Sequence, residues 1–358
     1  MLLLNPGPVN LTERVRHALL NPDLCHREPE FSELQARIRA GLVAVHGLPS
    51  ERYTAVLMTG SGTAAVEAML TTLMSADGRL LVLENGVYGE RMSNIARIHG
   101  IGHARLSHAW GDSIEPDRVG AALDADPSLT HVAVVHHETT TGRLNDLAAI
   151  GAACRARGRP MLVDAVSSFG AEILDCDAWN IQACAATANK CLHAVPGTSF
   201  VVARRADLER DDPPARSLYL DLRGYLRNQD AGGTPFTQSV QTFYALDEAL
   251  RELAEAGGAA ERRAHYARLQ GIVREGMQAL GIAALIPAAE SSVVLSAYRL
   301  PAGLPYRALH DRLKARGFVI YAGQGSFAES IFRVSTMGAI VEADMHRFVD
   351  AMSAIVSG

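Results

Sequence analysis

The stretch Tyr53-Thr54-Ala55-Val56-Leu57-Met58-Thr59-Gly60-Ser61-Gly62-Thr63-Ala64-Ala65 runs from a short apolar segment through a glycine-rich turn into residues suited to a helix. It reads as a strand at 53–58, a tight loop at 59–62 and a helix at 63–74. The same grammar recurs downstream. Strands are expected at 80–83, 131–135, 160–163 and 198–202, and helices at 91–99 and 147–157. Short continuous apolar strands alternating with helices specify a mostly parallel sheet covered on both faces, an α/β fold. Upstream, Asn5-Pro6-Gly7-Pro8-Val9 is a rigid turn, because two prolines and a glycine exclude helix. Helices are expected at 12–20, with Thr12 as N-cap, and at 30–45. A surface loop at 210–214 and a long helical region over about 240–280 follow. After residue 283 the pattern changes to mixed strands with helices at 306–316 and 342–356. This divides the chain into a large domain, 14–250, and a smaller α+β domain, 251–358 with residues 1–13.

Composition narrows the function. The chain has 358 residues, 48% hydrophobic and 20% charged, which suits an ordered globular protein. Its formal net charge is −5 and it has no long basic tract, which argues against a nucleic-acid partner. No run of eighteen apolar residues offers a membrane helix, and the run Met1-Leu2-Leu3-Leu4 is short for a signal peptide. The five cysteines form no C-x-x-C pair, so reduced thiols in a cytoplasm are expected.

Three features carry chemistry. Lysine occurs only at Lys190 and Lys314; elsewhere positive charge is arginine. Lys314 fits the exposed face of a helix. Lys190 lies in the small, apolar run Ala183-Cys184-Ala185-Ala186-Thr187-Ala188-Asn189-Lys190-Cys191-Leu192. An amine can lose its proton and act as nucleophile or base, which a guanidinium cannot. Second, Gly60-Ser61-Gly62-Thr63 opens a helix after a strand, a cradle for an anion. Third, Asp164 in Met161-Leu162-Val163-Asp164-Ala165-Val166-Ser167-Ser168 places a carboxylate at a strand end, where open α/β sheets bind ligands. A dinucleotide site is a rival for the loop alone, since 60–65 fits G-x-G-x-x-A and Glu84 ends the next strand. Loop, acid and amine together match pyridoxal phosphate: an anion cradle, an acid for the ring nitrogen and an amine for the aldehyde.

With these pieces in hand the chain resembles a class V aminotransferase of the fold-type-I pyridoxal phosphate family along nearly its whole length. The likeness is carried by Leu4-Asn5-Pro6-Gly7-Pro8, Gly60–Thr63, Asn85-Gly86-Val87-Tyr88-Gly89-Glu90-Arg91-Met92 and His136-His137-Glu138-Thr139-Thr140-Thr141-Gly142. It continues through Val163–Gly170, Ala188-Asn189-Lys190-Cys191, Arg216–Leu222, Gly317–Tyr321 and Phe332-Arg333-Val334. Asn-Lys-Cys and residues 217–222 favour the branch that acts on phosphonates over the alanine–glyoxylate branch. The resemblance implies a mostly parallel seven-stranded sheet in an α/β/α sandwich and pyridoxal 5'-phosphate as cofactor. It further implies 2-aminoethylphosphonate as amino donor, pyruvate as acceptor, and a homodimer. It assigns Lys190 to the cofactor aldehyde, Asp164 to the pyridine nitrogen, and Ser61, Gly62 and Thr63 to the phosphate. Tyr88 would stack on the ring, Thr139 would bond near the ring hydroxyl, and Asn189 would help hold the phosphate end. Thr237 would reach the neighbouring subunit's cofactor. Arg333 would grip the substrate anion, with Gly7 and Pro8 beside it.

Two further constellations are set aside. His136-His137-Glu138 looks metal-like, but adjacent strand residues point to opposite faces, so metal binding is not expected. Cys191 neighbours Lys190, yet the sister desulfurases need a cysteine later in the chain, and none follows Cys191.

Overall fold

The computed structural model describes residues 1–210 and 215–357. Past Arg210, the loop expected at 210–214 lies outside them.

Seven strands form the main sheet: β1 (Tyr53–Gly60), β2 (Arg79–Glu84), β3 (Gly102–Ser107), β4 (Leu129–Val135), β5 (Met161–Asp164), β6 (Ile181–Thr187) and β7 (Gly197–Arg204). Their spatial order is β1-β7-β6-β5-β4-β2-β3. β7 runs antiparallel to both β1 and β6, and the other neighbours are parallel. Alternate strand residues feed two cores, as the two-residue strand period requires. Leu57, Leu81, Val134 and Val163 pack with Phe31, Ile38, Ile150 and Phe243 on one face. Met58, Val82, Val135 and Leu162 pack with Val66, Met69, Met92 and Ile95 on the other. The result is an α/β/α sandwich.

Two strands escape sequence reasoning. β3 is an edge strand of alternating exposure, so its apolar content is low. β6 consists largely of alanine and cysteine, small residues with weak strand preference. Yet it lies in the interior of the sheet, where small side chains let the covering helices approach. The helical region at 240–280 is two helices, Val240–Glu255 and Gly258–Ala279. The break falls at Gly257 and Gly258, both with positive φ (92° and 80°), a backbone conformation that glycine reaches without strain.

After residue 290 a three-stranded antiparallel sheet forms from β8 (Leu295–Arg299), β9 (Tyr321–Ala322) and β10 (Ile331–Ser335), with β10 central. Leu269, Val273 and Met277 pack with Phe332, Val334, Phe348 and Met352 against it. Leu2–Leu3 pairs in parallel with Phe318–Val319, and Ser335 N donates to Leu4 O at 2.8 Å. The N-terminal turn is thereby laid over the carboxyl ends of the main strands. Among the described residues no helix is long and apolar enough to cross a membrane.

Candidate active site

The site forms where β1, β5 and β6 end. β1 leads into the helix Gly62–Leu73, with Ser61 as N-cap; the Ser61 hydroxyl makes no capping bond. The first amides of a helix have no partner within it, and Ser61 at this end is exposed. Gly62 is required by close approach: a Cβ there would stand 2.8 Å and 2.9 Å from the Val166 methyls. That contact seats the anion cradle directly on the turn after β5.

That turn carries Asp164, nearly buried at the end of β5. Its Oδ1 accepts from Val166 N at 2.9 Å. Burial pushes the carboxyl up from its ordinary range, while the Val166 amide, Lys190 and Arg91 pull it back. A buried acid of this kind calls for a cationic partner.

Lys190 follows β6. Its Nζ donates to Ser167 Oγ at 2.7 Å and lies 5.9 Å from the centroid of the Tyr88 ring. The amine is half-buried, with its stem against the N-terminal turn. A Cβ at Gly7 would stand 3.3 Å from Lys190 Cγ and 3.4 Å from Lys190 Cε. Gly7 is therefore a wall behind the lysine; Pro8 is exposed, and its carbonyl accepts from Asn5 Nδ2. Asn189 Oδ1 accepts from Thr187 Oγ1 at 2.8 Å, so its amide nitrogen is the end free to reach a ligand.

Tyr88 begins the helix Val87–Ile98. Its position depends on Glu138, which is fully buried. Glu138 Oε2 accepts from Tyr88 N at 3.2 Å and Gly89 N at 3.4 Å. Its Oε1 accepts from Thr140 N at 3.2 Å and Thr140 Oγ1 at 2.6 Å. Burial lifts the carboxyl to about 7 although the Thr140 hydroxyl and the amides of Thr140 and Gly89 pull the other way. The triplet 136–138 thus splits by face. His136 Nδ1 meets Ser168 Oγ, His137 Nδ1 donates to the Ser167 carbonyl, and Glu138 caps the helix. Sequence reasoning gave none of these three a role beyond the metal question.

Arg333, on β10, is nearly buried. Its Nε donates to Ala322 O at 2.8 Å, and its Nη1 donates to Thr139 O at 2.9 Å and Gln324 Oε1 at 3.3 Å. Among the described residues no acceptor takes Nη2 and no carboxylate pairs with the group. Burial pulls the guanidinium pKa below its ordinary value. A charge so placed is ready for an anion.

The structure thus gathers Lys190, Asp164, Tyr88, Thr139, Arg333 and the Ser61–Thr63 cradle around one cleft. Thr237 stands apart. It is exposed and makes no hydrogen bond among the described residues, whereas its neighbour Gln238 anchors that loop by accepting from Thr59 Oγ1 at 2.9 Å. The dinucleotide alternative loses its acid. Glu84 is closed off by Arg105 Nε and Nη2, each at 2.7 Å, and by Ser93 and Ser107.

The geometry is that of a fold-type-I pyridoxal phosphate enzyme, and residues 21–339 match the family model for aminotransferase class V. The chain belongs to that family. Among curated relatives, it is 41% identical over 354 residues to the 2-aminoethylphosphonate–pyruvate transaminase of Syntrophobacter fumaroxidans, covering 98% of this chain and 95% of that one. It is 40% identical to the enzyme of the same name from Aeromonas hydrophila, covering 98% and 94%. Among solved structures, the Thermus thermophilus aspartate aminotransferase of subgroup IV superposes with a TM-score of 0.91 at 29% identity, covering 100% and 99%. The Nostoc alanine–glyoxylate aminotransferase gives 0.92 at 26%, covering 99% and 95%.

The family's cofactor is pyridoxal 5'-phosphate, and the cleft fits it. Among the described residues, Thr139 Oγ1 and His137 Nε2 are buried polar atoms without a hydrogen-bond partner. A buried unpaired polar atom costs free energy unless a ligand or water completes it. The donors of the cradle, the acid Asp164 and the amine Lys190 match the phosphate, the ring nitrogen and the aldehyde in turn.

Proposed function

We propose that this aminotransferase moves the amino group of 2-aminoethylphosphonate to pyruvate, leaving phosphonoacetaldehyde and L-alanine. The reading is supported by near-full-length likeness to transaminases of that name, down to 35% identity in Phocaeicola vulgatus. The observation that carries the chemistry is Lys190 Nζ poised on Ser167 Oγ beside the ring of Tyr88.

When bound, pyridoxal 5'-phosphate supplies an aldehyde that takes up the amino group and a cationic ring that draws electrons from the substrate carbon. Ser61, Gly62, Thr63 and the amide end of Asn189 bind the phosphate. Asp164 would hold the proton on the ring nitrogen. Tyr88 would offer its flat face to the ring, and Thr139 Oγ1 would serve the ring hydroxyl. Lys190 Nζ takes the proton from the amine-bearing carbon of the donor and later returns one to the acceptor carbon, with Ser167 Oγ keeping it in place. Arg333 Nη2 grips the phosphonate of the donor and then the carboxylate of pyruvate. Gly7 and Pro8 close the substrate side of the cleft.

The protein acts as a homodimer in this reading. Thr237 is exposed with no bond of its own, and Leu218 (86% exposed) and Tyr219 (40%) lie on the same rim, Tyr219 Oη donating to Thr59 O at 2.9 Å. A second copy would cover this rim and receive Thr237 at its cofactor phosphate. Residues 14–250 form the large cofactor-binding domain and 251–358, with 1–13, the small one; the enzyme works in the cytoplasm. The test is an assay of purified protein with 2-aminoethylphosphonate, serine or alanine as donor against pyruvate and glyoxylate. Rapid alanine formation from the phosphonate with pyruvate is expected. Preference for serine or alanine with glyoxylate would refute it.

A further inference from the structure

Several arginines here, from exposed to buried, have an acid partner. Arg105 pairs with Glu84, Arg39 with Asp230 and Arg143 with Glu290. Arg91 does not. It lies three residues after Tyr88 on the helix Val87–Ile98, a spacing that puts both on one face. Its guanidinium carbon stands 4.7 Å from the centroid of the Tyr88 ring, and Nη1 donates to Thr63 Oγ1 at 3.3 Å. That is its one hydrogen bond among the described residues, and no carboxylate there pairs with it. Tyr88 and Thr63 therefore hold a five-donor fork against the anion cradle with most of its donors free.

The charge balance gives this placement a purpose. A phosphate monoester carries about −1.5 to −2 at neutral pH. A helix N-terminus offers the equivalent of only about +0.5. Lys190 is committed to the aldehyde and Arg333 lies across the cleft at β10. Arg91 is the cation at the cradle itself.

We propose that Arg91 binds a phosphorus oxyanion in this site. The inference rests on the assignment of the cradle to the cofactor phosphate. Two such oxyanions enter the cleft: that phosphate and the phosphonate of the donor. Contact with Thr63 favours the cofactor phosphate.

The test compares wild type, Arg91→Met and Arg91→Lys. Each is stripped of cofactor and titrated with pyridoxal 5'-phosphate and with pyridoxal, which lacks the phosphate, by fluorescence quenching. KM is then measured for 2-aminoethylphosphonate and for pyruvate. Arg91→Met is expected to lose at least about tenfold in affinity for pyridoxal 5'-phosphate and little for pyridoxal, with Arg91→Lys recovering part of the loss. A rise in KM for the phosphonate alone, at unchanged cofactor affinity, supports the proposal with the donor as the ligand. Changes within twofold for every ligand, in a variant of normal thermal stability, overturn it. An equal loss for pyridoxal and its phosphate overturns it as well, since that marks a packing role. If wild type binds the phosphate ester no better than pyridoxal, the cradle assignment fails instead.

Discussion

Replacement of Arg333 by glutamine is the perturbation whose size the structure defines best. The side chain enters the cleft tied at two corners, Nε to Ala322 O and Nη1 to Thr139 O. Only Nη2 is left for substrate, so the loss is about one to two charge-assisted hydrogen bonds. Each is worth about 1.5–3 kcal/mol. A total of about 1.5–6 kcal/mol corresponds to a fall in kcat/KM of about 10- to 20,000-fold. In the proposed mechanism the same fork serves two anions in turn, so kcat/KM should fall for 2-aminoethylphosphonate and for pyruvate alike. Thr139 O also loses a donor, so cofactor affinity weakens, and it must be measured separately by titration. Arg333→Lys keeps the charge but not the fork. A single ammonium cannot hold both carbonyls and the substrate, so an intermediate loss is expected. Gln324→Leu removes a tether at 3.3 Å and should have the smallest effect. Steady-state kinetics in both directions is the assay. If Arg333→Gln, folded and loaded with cofactor, kept more than a third of kcat/KM for both substrates, the reading of β10 as the substrate-gripping strand would be refuted.

Lys190→Ala should abolish turnover and the visible absorbance of the bound cofactor. A yellow, borohydride-sensitive variant would remove the lysine from its role. Glu138→Gln, measured at pH 8, turns an amide NH2 toward some of four converging donors. It should lower stability by about 2–4 kcal/mol in urea denaturation and weaken cofactor binding; unchanged values would mean that Glu138 does not set the position of Tyr88. His136 and His137 are held neutral by burial, at about 3 and about 4. The unfolded chain protonates both below about 6.5, so it binds more protons than the native state in that window. Stability should therefore fall as pH drops from about 6.5 to about 4, by about 3 kcal/mol or more per histidine at about 1.4 kcal/mol for each pH unit. A His137→Asn variant whose urea midpoint drops just as steeply over that range would contradict the sign or the residue.

Several site groups are visible in the chain because their chemistry forces a local pattern. A helix N-terminus suits an anion, and Gly60–Thr63 stands between an apolar strand and a helix, as read from the chain. A Schiff-base-forming amine must be lysine, and only two lysines exist. Asp164 ends a run too apolar to tolerate a charge without purpose. The parallel sheet follows from strands that are apolar without alternation, since both faces are covered.

Other groups are decided by tertiary structure alone. β6 carries alanines and cysteines because the neighbouring layers press on it, and no local preference announces a strand. Glu138 and Arg91 are unremarkable in order along the chain; through what folds against them they become a helix cap and, among the described residues, a cation without an acid partner. Arg333 is one arginine among many until Ala322 and Thr139, far apart in sequence, present carbonyls to two of its corners. A sequence records which chemistry a residue can perform, whereas which residues lack a partner depends on distances between segments that local preference does not encode.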